Sequence, residues 1–218
     1  MNRFAELLDR LAYEPGRNAK LRLITDYLRG TPDPERGWAL AALTGALSFK
    51  HAKAGMIRGL IAERTDPALF ALSYDYVGDL SETVALMWPA DPIQKSRSAP
   101  MLSDVVQTLS TLGKAQLPAQ IARWLDGLDE TGRWALLKLV TGALRIGVSA
   151  RLAKTAVASL GNRESDEIEI LWPGLTPPYL DLFAWLDGRA DKPLTRDPAP
   201  FRPPMLAHAA EESDLTAL

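Results

Sequence analysis

The 218-residue chain has no cysteine and only two histidines. Without thiols it has no disulfide framework, no thiolate metal site and no cysteine nucleophile. A cysteine-free chain suits a reducing compartment, so a cytoplasmic location is expected. His51 and His208 stand apart from other ligand types, and no metal is assigned to them. No apolar run approaches the length of a membrane span, so no membrane is expected among the partners. The N-terminal stretch MNRFAELLDRLAYEP interleaves charged with apolar residues, as an amphipathic helix does and a signal peptide does not. A glycine-rich phosphate loop with its lysine is missing, as is any placed His/Ser/Asp cluster for hydrolysis. Neither sign of charge is in large excess. With a net charge of −2, any nucleic-acid contact has to come from a local basic patch.

The hydrophobic fraction of 47% is enough to build a core. Nearly every segment carries helical period. Phe4, Leu7, Leu8 and Leu11 share one face, and Pro15-Gly16 stops that helix. Asn18 is placed to cap the next helix, which Gly30 ends. Asp33-Pro34-Glu35 reads as a cap followed by proline at the first helical position of a helix ending near Leu47. Asp66-Pro67 starts a helix that Gly78 ends, and Asp79 with Glu82 reads as a capping box. Helices are also expected near 102–112, 118–128, 129–144, 149–160, 165–171 and 177–186. No stretch reads as a strand. The expected fold is all-α, with roughly a dozen helices in a domain spanning 1–188. Its two halves, about 1–88 and 101–188, are joined by the proline-rich linker 89–100. Residues 189–218 lose all period and read as an extended tail.

A repeat lies within this pattern. Trp38-Ala39-Leu40 leads to Thr44-Gly45-Ala46-Leu47 and then to a basic corner of Lys50, His51 and Lys53. Trp134-Ala135-Leu136 leads to Thr141-Gly142-Ala143-Leu144 and then to a second basic corner at Arg145. Two related halves with approximate pseudo-two-fold symmetry are expected, each presenting one corner. Lys114, on a short turn after Gly113, is a third candidate contact.

The second corner is the more developed. Gly147 can take a positive φ, and Ser149 is a good N-cap for the helix that follows. Arg145, Arg151 and Lys154 surround the turn. Free amides at a helix start, a positive helix end and nearby cations suit a phosphate. Corners of this kind grip a sugar-phosphate backbone and carry no base information. The tryptophans Trp38, Trp124, Trp134 and Trp185 sit at helical spacing with Leu and Ala, as core residues do.

Four stretches together resemble the N-terminal DNA-binding domain of ATP-dependent DNA ligases. The turn LRIGVS at 144–149 stands intact, and the helix over 129–144 leads into it. YVGDLSETVALMW at 76–88 is close to the family's G-D-L-G-E pattern, with Ser81 in place of the second glycine. FRPPMLA at 201–207 is similar to the segment that opens the family's nucleotidyltransferase domain. The resemblance implies a helical domain that grips nicked duplex DNA while catalytic domains seal the nick in repair, replication or recombination. It also implies ATP and Mg2+ for a full-length enzyme, and contact with those catalytic domains. The adenylated lysine of a K-x-D-G motif is expected beyond residue 218. Trp185-Leu186-Asp187-Gly188 has tryptophan at the lysine position, so no catalytic residue or bound cofactor is expected in this chain. The DNA-contact set expected is Lys50, His51, Lys53, Lys114, Arg145, Gly147, Ser149, Arg151 and Lys154. The rival expectation is a helical protein–protein scaffold without DNA binding, which explains the repeat and the near-neutral charge but not the paired basic corners.

Overall fold

The computed structural model describes residues 1–89, 99–142 and 144–194. The FRPPMLA segment, His208 and most of the 89–100 linker lie outside the described residues. Among those described there are twelve α-helices and no strand. The first half holds α1 (Asn2–Tyr13), α2 (Arg17–Gly30), α3 (Glu35–Leu43), α4 (Ala54–Ala62), α5 (Pro67–Val77) and α6 (Leu80–Met87). The second holds α7 (Leu102–Thr111), α8 (Leu117–Gly127), α9 (Glu130–Thr141), α10 (Ala150–Leu160), α11 (Ser165–Leu171) and α12 (Leu180–Leu186). A single 3-10 turn, Trp172–Gly174, follows α11. No described helix is long and apolar enough to cross a membrane.

Several helix ends follow the expected chemistry. The Asp66 carboxylate accepts from Leu69 N, that of Asp79 from Glu82 N, and the Ser149 hydroxyl from Leu152 N. Others differ. α2 begins one residue before Asn18, with Gly16 at its N-cap. α3 begins at Glu35 rather than Pro34, because the Asp33 carboxylate is taken by Arg36 at 2.7 Å. Both Thr-Gly-Ala-Leu stretches end their helices early, at Leu43 and Thr141, and not at the leucine of the tetrapeptide. The reason is shared. Gly45 and Gly142 take φ of 73° and 72°, which stops the helical ladder. At α3, Ala46 N then bonds back to Ala41 O at 2.9 Å, closing the turn. α12 starts at Leu180 rather than Pro177, since Tyr179 takes a left-handed backbone (φ 59°) that no helix passes through, with its ring tilted against Trp172 at 5.0 Å.

The two halves interlock. Counting six helices in each, the first helix of either half packs on the third of the other: α1 on α9, and α7 on α3. The second packs on the fourth: α2 on α10, and α8 on α4. One hydrophobic cluster therefore runs from Met1 to Trp185 without a break between halves. In each copy of Trp-Ala-Leu the Ala and Leu are fully buried and the Trp packs partly buried against the core. Each of these central helices also carries a buried arginine. Arg36 joins Asp33 and Asp187, and lies 4.3 Å over the Phe183 ring. Arg133 donates to Leu125 O and Trp88 O, holding the ends of α8 and α6. Ser81 is buried too, its hydroxyl 3.5 Å from that of Thr141 where α6 crosses α9.

Candidate nucleic-acid interface

The first corner is the loop between α3 and α4. Phe49 and Ala52 are buried and pin it to the core. The residues between and after them, Lys50, His51 and Lys53, are thereby turned outward. Lys114 comes from the other half, on the turn after Gly113 that leads into α8. Because α8 packs on α4, it reaches the same place. All four line one open cleft of about 620 Å³. Among the described residues none of the three lysines is in an ion pair. Glu63 is the sole carboxylate in the lining.

The cleft has a wall that charge patterns do not reveal. Gly55 and Gly59 lie four residues apart on α4, and both line it. A Cβ at either position would meet nothing within 4 Å. Each glycine weakens the helix by about 1 kcal/mol relative to alanine, and neither makes room for a neighbour within the fold. Their effect is to leave helical backbone open in the wall of a cleft that the cations also line. The spacing Gly-x-x-x-Gly directly after the basic corner was the available signal.

The second corner is built differently. Arg145 and Gly147 take φ of 48° and 67°, and Ile146 between them is buried. The turn is held by Lys20 of α2, whose ammonium donates to Ile146 O at 2.8 Å and Gly147 O at 3.1 Å. Lys20 is only 8% exposed. A Cβ on Gly147 would lie 2.5 Å from its Nζ, so the glycine serves both the backbone and the lysine. Ser149 caps α10, and Arg151 in its first turn is exposed. Lys154 points elsewhere: its Nζ pairs with Glu169 at 2.6 Å and lies 4.9 Å over the Trp172 ring. That makes it a tie between α10 and α11.

Arg145 does not open onto the cleft of Lys50. It lines a separate groove of about 390 Å³ that holds Asp9, Asp79, Glu82 and Glu130. Burial raises the Asp79 carboxyl, but the Lys138 hydrogen bond at 2.6 Å and the Glu82 amide outweigh it and hold the group below its ordinary range. The structure thus gathers Lys50, His51, Lys53 and Lys114, and leaves Arg145, Gly147, Ser149 and Arg151 as a second, separate corner. Asp187 of the W-L-D-G stretch accepts from Arg36 and Arg189 and is structural. Among the described residues no three His, Asp or Glu side chains converge as a metal site requires. Compared with known proteins, the chain matches no family model and no curated protein.

Proposed function

We propose that this chain is the DNA-binding domain of an ATP-dependent DNA ligase, holding nicked duplex DNA through sugar-phosphate contacts. The observation that carries the proposal is the convergence of Lys50, His51, Lys53 and Lys114 on a cleft walled in part by glycine. Two segments more than sixty residues apart bring their cations to one open cleft, and among the described residues no carboxylate pairs with the three lysines. Such a surface suits a phosphate strand lying against helix backbone, and it is blind to base sequence. The LRIGVS turn supports the same reading. Its backbone is held by a buried ammonium, and Ser149 starts a helix with Arg151 in the first turn. The crosswise packing of first on third and second on fourth helices fits two halves related by an approximate two-fold axis. Two corners so related would meet a duplex at two levels. Adenylyl transfer, with its ATP and Mg2+, belongs in this reading to a nucleotidyltransferase unit outside these residues.

The test is fluorescence anisotropy on a nicked duplex across a salt series. The affinity is expected to fall steeply between 50 and 200 mM salt, as counterion release requires. Lys50→Glu and Lys114→Glu are each expected to weaken binding and to lower the slope of log K against log salt by about 1. Lys154→Gln is expected to change neither. Equal affinity for wild type and both charge reversals, with unchanged circular dichroism, would refute the assignment.

A further inference from the structure

The groove that receives Arg145 has a construction of its own. Three helices meet there, and each contributes a carboxylate followed four residues later by an apolar side chain. The pairs are Asp9 and Tyr13 on α1, Glu82 and Leu86 on α6, and Glu130 and Trp134 on α9. Residues four apart lie one above the other on a helix face. Each helix therefore presents one acid and one apolar group along the same face. Tyr13 is 82% exposed and Leu86 64%, values unusual for large apolar side chains within a concave surface. Asp9, Glu82 and Glu130 form no ion pair among the described residues. The fourth acid, Asp79, is already matched by Lys138. Four carboxylates thus face two cations, Lys138 and Arg145. A second depression continues the groove past Asp9 and Thr131 and adds two acids, Glu6 and Asp129, against one cation, Arg10.

The excess of carboxylates over cations makes the groove itself, beyond Arg145, a poor seat for a nucleic acid or an acidic peptide. We infer that the α1–α6–α9 groove docks a cationic amphipathic segment of a partner protein. Its aliphatic side chains would cover Tyr13, Leu86 and Trp134, and its lysines or arginines would meet Asp9, Glu82 and Glu130. The charge complementarity sets specificity and encounter rate, and the apolar contacts supply most of the affinity. The inference stands apart from the cleft of Lys50, with which the groove shares no lining residue; of the second corner, Arg145 alone lines it.

The probe is a fluorescein-labelled peptide of two Leu-Lys-Lys-Leu-Leu-Lys-Leu repeats, titrated with the full 218-residue chain. Glu82→Gln with Glu130→Gln is expected to weaken binding about tenfold, and Tyr13→Ser with Leu86→Ser about fivefold or more. The control pair Glu164→Gln with Asp191→Gln removes the same charge elsewhere and is expected to leave affinity unchanged. A peptide with serine at every leucine is expected to bind at least tenfold more weakly. Equal weakening by groove and control pairs, no weakening by either, or equal binding of the serine peptide would overturn the inference. So would wild-type self-association in sedimentation velocity that the groove variants abolish, because the occupant would then be a second copy.

Discussion

Lys20 is a buried cation with no carboxylate paired to it among the described residues, and its hydrogen bonds explain why the fold tolerates it. Its ammonium replaces lost hydration with two carbonyls of the turn, at Ile146 and Gly147. Replacing it with methionine leaves both carbonyls facing an apolar group, at a cost of roughly 1–3 kcal/mol in urea unfolding. Gly147→Ala is expected to cost about 1–2 kcal/mol from the left-handed backbone alone. Its methyl group would also press on the ammonium that lies 2.5 Å from its position. The two changes are expected to be non-additive. Once Lys20 is gone, the alanine methyl occupies vacated space, so the double variant should lose less than the sum. Strict additivity would mean that lysine and glycine act on the turn separately. Gly147 and Ser149 were legible in the sequence, because turn and cap chemistry is local. Lys20 was not: it sits over a hundred residues upstream in an ordinary amphipathic helix.

At the scale of helices, α3 is fixed to the segment 178–189, around α12, by shape and by charge. A Cβ on Gly37 would come 1.7 Å from Pro178 O, a backbone atom that cannot rotate away. Gly37→Ala is therefore expected to cost about 3 kcal/mol or more, read from the urea midpoint. Beside that contact, Arg36 reaches Asp33 and Asp187. The Arg36 hydrogen bond, stronger than the opposing burial and helped by Arg189, holds the Asp187 carboxyl below its ordinary 3.8. A lowered folded-state value means that the unfolded chain takes up the proton first as pH falls. The stabilisation is complete above the ordinary value and is lost as pH drops through the folded one. Asp187→Asn should therefore be less stable than wild type at pH 7, with the gap closing below pH 3.8. A gap that stays constant with pH would assign the loss to packing. Helix content and most starts were readable from period and caps. The ends of α3 and α9 were not, because Ala and Leu after the glycine continue the apolar pattern while the backbone has already turned. Ser81, which stands where the resembled family's pattern has a glycine, is buried where α6 packs on α9. The cations proposed as a site were legible as residues, but their grouping depends on which loops α4 and α8 bring together, and the pattern of one chain segment does not encode that.

At the scale of the molecule, the interlocking of halves decides what can fold. α1 buries Phe4, Leu7, Leu8 and Leu11 and packs on α9, and α2 buries Ile24 and Leu28 and packs on α10. Polar ties cross in the same sense. Glu35 caps the start of α7 through Leu102 N and Ser103 N, and Arg133 of α9 holds Trp88 O. Residues 1–89 alone would expose several of these side chains, each worth about 1.5–3 kcal/mol of burial. A handful of such losses exceeds the 5–15 kcal/mol by which typical domains are stable. Each half expressed by itself is therefore expected to show little cooperative unfolding by circular dichroism. Mixing 1–89 with 99–194 is expected to restore helical signal and a single transition whose midpoint rises with concentration. The reconstituted pair should also recover affinity for nicked duplex, since Lys50 and Lys114 come from different halves and meet only across the α4–α8 contact. A first half that folds cooperatively alone would show that the crosswise contacts add little. Duplex binding by that half, with the salt dependence of the whole chain, would remove Lys114 from the interface.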